Sequence, residues 1–280
     1  MKKHKELWKP FLSKEKFLII LIVFILINIS LYIVYKDSIY SNPGYQQQYP
    51  NTGLSLYYYF HNIGANPFLM IIMMLLLPNL ISYDFLNLQL SHASYLIETR
   101  IPKKTYYTQM FIKNIIMSAG LVFLLECCTI LIIHCFYVPI QFNATTYMEN
   151  YYIVAQLLSS NEIMSMILFV LMTSIGYSIV SSLLFSLQFV ITNKYIYRCF
   201  GVIFGILLVV IPALIQGYLP FPDAAFLLQI NNLIALGIEN VRVNPFGLSH
   251  YMMYFITLII YFSISTSCFK VLLKWRQAYD

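Results

Sequence analysis

The chain has 280 residues, of which 60% are hydrophobic and 10% charged. A soluble domain carries about 25% charged residues, so a chain this apolar cannot cover itself with polar surface in water and reads as an integral membrane protein. Its formal charge of +6 lies beside apolar runs, a placement that suits lipid headgroups and not nucleic acid. No stretch is long and polar enough for a separate soluble domain, so residues 1–280 read as one all-α transmembrane domain.

Met1 to Lys16 holds six lysines, and from Glu6 the pattern of Leu7, Trp8, Phe11 and Leu12 predicts an amphipathic helix in the interface. The apolar run 17–35 is longer than a signal-peptide core and lacks a small-residue cleavage pattern, so it predicts a retained first span. Residues 36–66 are polar, tyrosine-rich and broken by Pro43, Gly44, Pro50 and Gly53, which predicts an ordered external loop. A second helix is expected over 67–83, with Pro67 in its first turn and a kink at Pro78. A third is expected over 106–137, a fourth over 163–191, a fifth over 199–217 and a sixth over 251–273. Before the sixth, residues 224–238 are apolar but too short to span. A segment dipping into the outer leaflet and a helix lying flat on the membrane both fit them.

With the N-terminus inside, 15 of the 17 basic residues fall on the cytoplasmic side, and only Lys36 and Arg242 fall outside. The positive-inside rule therefore predicts six spans with both ends in the cytoplasm. The five cysteines lie in or at the ends of apolar segments without CxxC spacing, so neither a disulfide framework nor a metal site is expected. HExxH, GxSxG and GxxxxGK[ST] are all absent from the sequence, so no catalytic residue or resident cofactor is expected.

Glu126 lies near the middle of the third predicted helix, and His134 follows at i+8 on the same side. A carboxylate in a membrane span faces a bundle interior or a wet cavity. Glu126 and His134 are accordingly candidates for a substrate path or an intramembrane polar site, beside the alternative that Glu126 is neutral and bonded to a neighbouring helix. Gly176, Ser178, Ser181 and Ser182 form a small-residue stripe that favours close helix contact, within the chain or with a second copy.

The stretch Asp84 to Asn114 contains Asp84, Arg100, Pro102, Lys104, Tyr107 and Lys113 in an order that resembles the permease subunits of ABC-2 type transporters. The six-helix layout, the amphipathic N-terminus, the basic Asn193-Lys194 turn and the broken segment before the sixth helix are similar to that family as well. The resemblance implies an exporter subunit that pairs with a second permease copy or a related chain. A separate cytoplasmic P-loop ATPase would bind ATP and Mg. It implies that residues 91–98 form a coupling helix presenting His92, Tyr95 and Glu98, followed by Arg100, Lys103 and Lys104. The apolar wall suggests an amphipathic or hydrophobic substrate: a peptide, an antimicrobial compound or a lipid. The usage of Ile, Lys, Asn and Tyr hints at an AT-rich genome, in keeping with a bacterial plasma membrane. Two other readings stay open: a polytopic membrane enzyme using Glu126 and His134, and a non-transporting membrane sensor or scaffold.

Overall fold

Long apolar runs build long helices here, and side-chain caps set where several of them begin. The computed structural model describes residues 14–49, 52–90, 101–142, 158–191, 193–218, 222–238 and 246–279, and among these no β-strand occurs. In chain order the helices are α1 (Lys14–Asp37), α2 (Pro43–Gln48), α3 (Thr52–Phe60), α4 (Pro67–Leu77), α5 (Tyr83–Leu90), α6 (Lys103–Ile132), α7 (Glu162–Leu187), α8 (Lys194–Tyr218), α9 (Pro222–Leu227), α10 (Asn231–Ile234) and α11 (His250–Tyr279). The Asn161 side chain accepts from the N–H groups of Ile163 and Met164 and starts α7, while Asn193 accepts from Tyr195 and Ile196 and starts α8.

Among the described residues, five helical stretches are long and apolar enough to cross a membrane: Lys16–Asp37, Lys103–Tyr137, Glu162–Leu187, Lys194–Tyr218 and His250–Trp275. The second expected span is different. Its apolar part, Pro67–Leu80, is shorter than the others. Pro78 has no N–H to donate, and the chain there widens into a π-turn over Pro78–Ser82 before running on as α5. The amphipathic N-terminal pattern from Leu7 to Leu12 lies outside the described residues.

The centre of the bundle is α7, which packs against α6 on one side and α11 on the other. Its serines bond their own helix, as in Ser174 to the Val170 carbonyl and Ser186 to the Ser182 carbonyl, so the face is narrow yet satisfied. Across helices, the Ser181 hydroxyl accepts from Ser118 at 2.7 Å and from Asn114 at 3.2 Å, and Ser182 meets Ser265 at 2.6 Å. Ser82 closes the row by donating to Asn114 at 2.8 Å. The small-residue stripe is thus used inside this one bundle. Gly176 lies so close to the segment before α11 that a Cβ there would fall onto the Leu233 backbone.

Part of the predicted external loop is built into the bundle, and so is the segment 224–238, expected either to dip into the outer leaflet or to lie flat on the membrane. In the predicted external loop 36–66, α3 is buried at every position but Tyr59. Leu54 to Phe60, six apolar or aromatic residues and one serine, make a segment that water does not stabilise. Residues 224–238 fold as the end of α9 and then α10, and Phe226, Ile230, Leu233, Ile234, Leu236 and Ile238 are all buried. Thr173 of α7 donates to the Ile234 carbonyl, and Thr257 and Tyr261 of α11 donate to the carbonyls of Leu227 and Leu228. These bonds satisfy backbone groups that no long helix satisfies here.

At one end of the bundle a second, aromatic cluster joins four elements. Phe85 of α5, Tyr106, Tyr107 and Phe111 of α6, Phe185 and Phe189 at the end of α7, and Phe269 of α11 pack together. The Phe85 and Phe185 rings are 4.8 Å apart and the Phe111 and Phe269 rings 4.6 Å apart. Lys103, Lys104, Lys194 and Lys274 lie exposed at this same end.

The contact at Gly176 gives a direct check. Gly176→Ala forces a methyl group onto backbone that cannot rotate away, and overpacking of this kind costs about 1–3 kcal/mol. Gly120 has open space around it, so Gly120→Ala serves as the control. Thermal unfolding in detergent is expected to show a lower midpoint for Gly176→Ala and an unchanged or higher one for Gly120→Ala.

Candidate functional site

One face of α6 carries Asn114, Ser118, Val122 and Glu126 at intervals of four, and all four are buried. Side chains four apart share a helix face, so this stripe points together into the bundle. Asn114 and Ser118 meet the hydroxyls of α7 described above. Glu126, one turn beyond Val122, meets α3.

Three groups converge there. The Tyr57 hydroxyl donates to Glu126 Oε2 at 2.9 Å. His61 Nε2 lies 2.9 Å from the same oxygen. His61 Nδ1 lies 2.9 Å from the backbone carbonyl of Tyr57, an oxygen that can only accept, so Nδ1 carries a hydrogen. Glu126 is 3% exposed and His61 4%. The imidazole also sits against aromatic rings, with Phe169 centred 5.2 Å away and Tyr57 4.7 Å away, both edge-on.

Burial pushes the His61 imidazole towards its neutral form, but the charge and hydrogen bond of Glu126 outweigh it and hold the group above its ordinary value of 6.5. Burial first, and then the Glu126 charge, raise the Tyr57 hydroxyl well above the usual phenol range, so it stays protonated and donates. The arrangement is therefore an imidazolium in 2.9 Å contact with a carboxylate in a dry site, with a phenol as third partner. It can hold or release a proton at Nε2. Among the described residues no three His, Cys, Asp or Glu side chains converge as a metal site would need.

The sequence-predicted residues divide in three. Glu126 is buried and paired. His134 is exposed in a π-turn, Ile133–Tyr137, where its Nδ1 accepts from the Ile140 N–H at 3.0 Å, so it does not join Glu126. At i+8 an α-helical side chain is already turned about 80° from its starting direction. Lys103 and Lys104 stand exposed in the first turn of α6, while His92, Tyr95, Glu98 and Arg100 lie outside the described residues. The residue that sequence reading missed is His61. Its signal was the apolar run Leu54 to Phe60 immediately before it, too greasy for a free loop.

The return from α3 to α4 is fixed by asparagines. Asn62 accepts from the N–H groups of Gly64 and Ala65, and Asn66 donates to the Phe60 carbonyl while accepting from Ser30 of α1. Ser30 thus bonds across from α1, whereas Asn28 of the same helix bonds the Phe24 carbonyl one turn back. The five cysteines are free thiols, and Cys128, Cys135 and Cys199 lie exposed on the outside of the bundle.

Comparison with protein-family models, with curated proteins and with solved structures gives no match to this chain.

Removing one partner of a buried charged pair costs about 3–5 kcal/mol, whereas losing a single neutral donor costs about 1–3 kcal/mol. Glu126→Ala is accordingly expected to lower the thermal midpoint in detergent by much more than Tyr57→Phe. Equal losses for the two variants would show that the carboxylate is not the anchor.

Proposed function

We propose that this chain is the membrane-spanning permease subunit of an ATP-driven exporter of the ABC-2 type, working in a bacterial plasma membrane. In this reading the continuous helical path from Pro67 to Leu90 serves as the sixth crossing, and both chain ends lie in the cytoplasm. A second permease copy or a related chain completes the path, and a cytoplasmic P-loop ATPase supplies the energy from ATP and Mg. The substrate is amphipathic or hydrophobic: a peptide, an antimicrobial compound or a lipid.

The observation that carries this reading is the aromatic cluster at the basic end of the bundle. A permease must turn the closing of an ATPase into movement of its helices. The connection between α5 and α6 is where the resemblance puts the coupling helix. Phe85 flanks that connection on one side, and Tyr106 and Tyr107 flank it on the other. These rings pack on Phe185, Phe189 and Phe269, which belong to the ends of α7 and α11. Aromatic cores of this density are stiff and transmit displacement rather than absorbing it. A push on residues 91–100 would thus reach the two central helices directly.

The enzyme reading would use Glu126 and His134, which have different partners here: Tyr57 and His61 for Glu126, the Ile140 N–H for His134. The sensor or scaffold reading shares the ATPase partner but not the transport.

Purification of the full chain in mild detergent from its native host is expected to bring down a P-loop ATPase in fixed proportion. Replacing Ser91–Glu98 by a Gly/Ser stretch should abolish that association while leaving the thermal midpoint of the bundle unchanged. A stable chain that never carries an ATPase would sink the proposal. An ATPase that binds, but whose turnover no lipid or amphipathic peptide alters, would favour the scaffold.

A further inference from the structure

The exporter reading gives no part to the most unusual feature of the molecule, a titratable pair buried between α3 and α6. We propose that His61 and Glu126 form a proton-operated latch: the protonated imidazole pins α3 inside the bundle, and loss of its Nε2 proton to water lets α3 withdraw from α6. This inference does not depend on what the bundle transports.

Donor and acceptor bookkeeping carries the argument. Nδ1–H is committed to the Tyr57 carbonyl. Nε2 faces Glu126 Oε2 at 2.9 Å, and that oxygen already accepts from the Tyr57 hydroxyl. With a carboxylate there, Nε2 must also carry a hydrogen, so the fastened state holds an imidazolium beside a carboxylate and the pair has no net charge. Take the Nε2 proton away and two acceptors face each other 2.9 Å apart. The imidazole becomes neutral, and Glu126 is left as an uncompensated buried charge, which is strongly disfavoured. Opening the contact to water relieves this.

The rest of the surroundings cannot substitute for the lost charge. The other titratable groups around the pair are Tyr57 and Tyr58 on α3, Cys127 on α6, and Tyr177 and Glu162 on α7. None of these can carry a positive charge. Tyr57 and His61 also anchor on the same carboxylate oxygen, so one group holds α3 at two points, and what disturbs it disturbs both.

The direction of the pH response follows from linkage. Because the folded protein holds the imidazole above 6.5, the latch is complete below that value and is lost as the pH rises through the folded-state value. The segment that moves lies at the end of the bundle opposite the aromatic cluster, where α3 packs beside the Ile133–Tyr137 turn. The pH that matters is thus that of the face away from the basic end.

Hydrogen exchange of the full-length protein, read by mass spectrometry over Thr52 to His61, tests this directly. The measurement is made at about pH 6 and about pH 9, with rates corrected for the base-catalysed intrinsic exchange. Wild type is expected to lose protection over this segment at the higher pH, the direction set by an imidazole held above its ordinary value. Glu126→Gln leaves no carboxylate to strand, so its segment should stay protected at both values. His61→Gln leaves the carboxylate without its cation, and its segment should exchange fast at both. Protection of α7 serves as the check that each protein is folded. Equal wild-type protection at the two pH values, or a wild-type step that survives in Glu126→Gln, overturns the latch. Should His61→Gln not fold, the wild-type and Glu126→Gln profiles still decide the matter.

Discussion

A polar side chain in a membrane has to find its partner within the protein, and this requirement organises the whole bundle. The helix at the centre, α7, is lined with hydroxyls, most of which bond to their own backbone and leave a slim surface. Slim surfaces let α6 and α11 approach until side-chain pairs such as Ser118 with Ser181 and Ser182 with Ser265 can form. The same rule explains the shorter pieces. The turns around α9 and α10 lack full helical bonding, and threonine and tyrosine hydroxyls from the long helices supply the missing donors.

The two ends of the bundle are finished differently. At the basic end, phenylalanines and tyrosines from four elements interlock, and Arg198 lies over the Tyr83 ring at 4.1 Å beside them. At the other end, short helices and turns fold inward, tied by polar bonds instead of by ring contacts alone. The first arrangement is rigid because many large side chains share it. The second depends on a few directional bonds. A molecule that receives force at one end and admits change at the other would be built along these lines.

Much of this was legible in the sequence, for one physical reason. Continuous apolar runs such as 17–35 and 251–273 have no alternative to crossing lipid as helices, and the structure places α1 and α11 there. Glu126 stood out for the same reason, as an ionisable group amid apolar neighbours. What was not legible is where a short apolar segment goes when it is embedded in a polar one. Residues 36–66 average out as a loop because Pro, Gly, Gln and Asn surround Leu54 to Phe60. Whether seven such residues lie on the membrane or dive into the bundle is decided by a gap between other helices, which no local pattern records. The partner of Glu126 was hidden with them. His134 was the wrong partner because helical spacing gives direction only, and a π-turn follows at Ile133.

The pairing of α3 with α6 also sets an order of events during synthesis. Tyr57 and Glu126 are 69 residues apart in the chain. A ribosome takes on the order of several seconds to cover that distance, at roughly 5–20 residues per second. For all that time α6 does not yet exist in the membrane, and the α3 segment has emerged with its histidine and tyrosine but without their carboxylate. It can make these contacts only after α6 has been inserted. The last step in assembling this half of the bundle is therefore the return of an early segment to a late one.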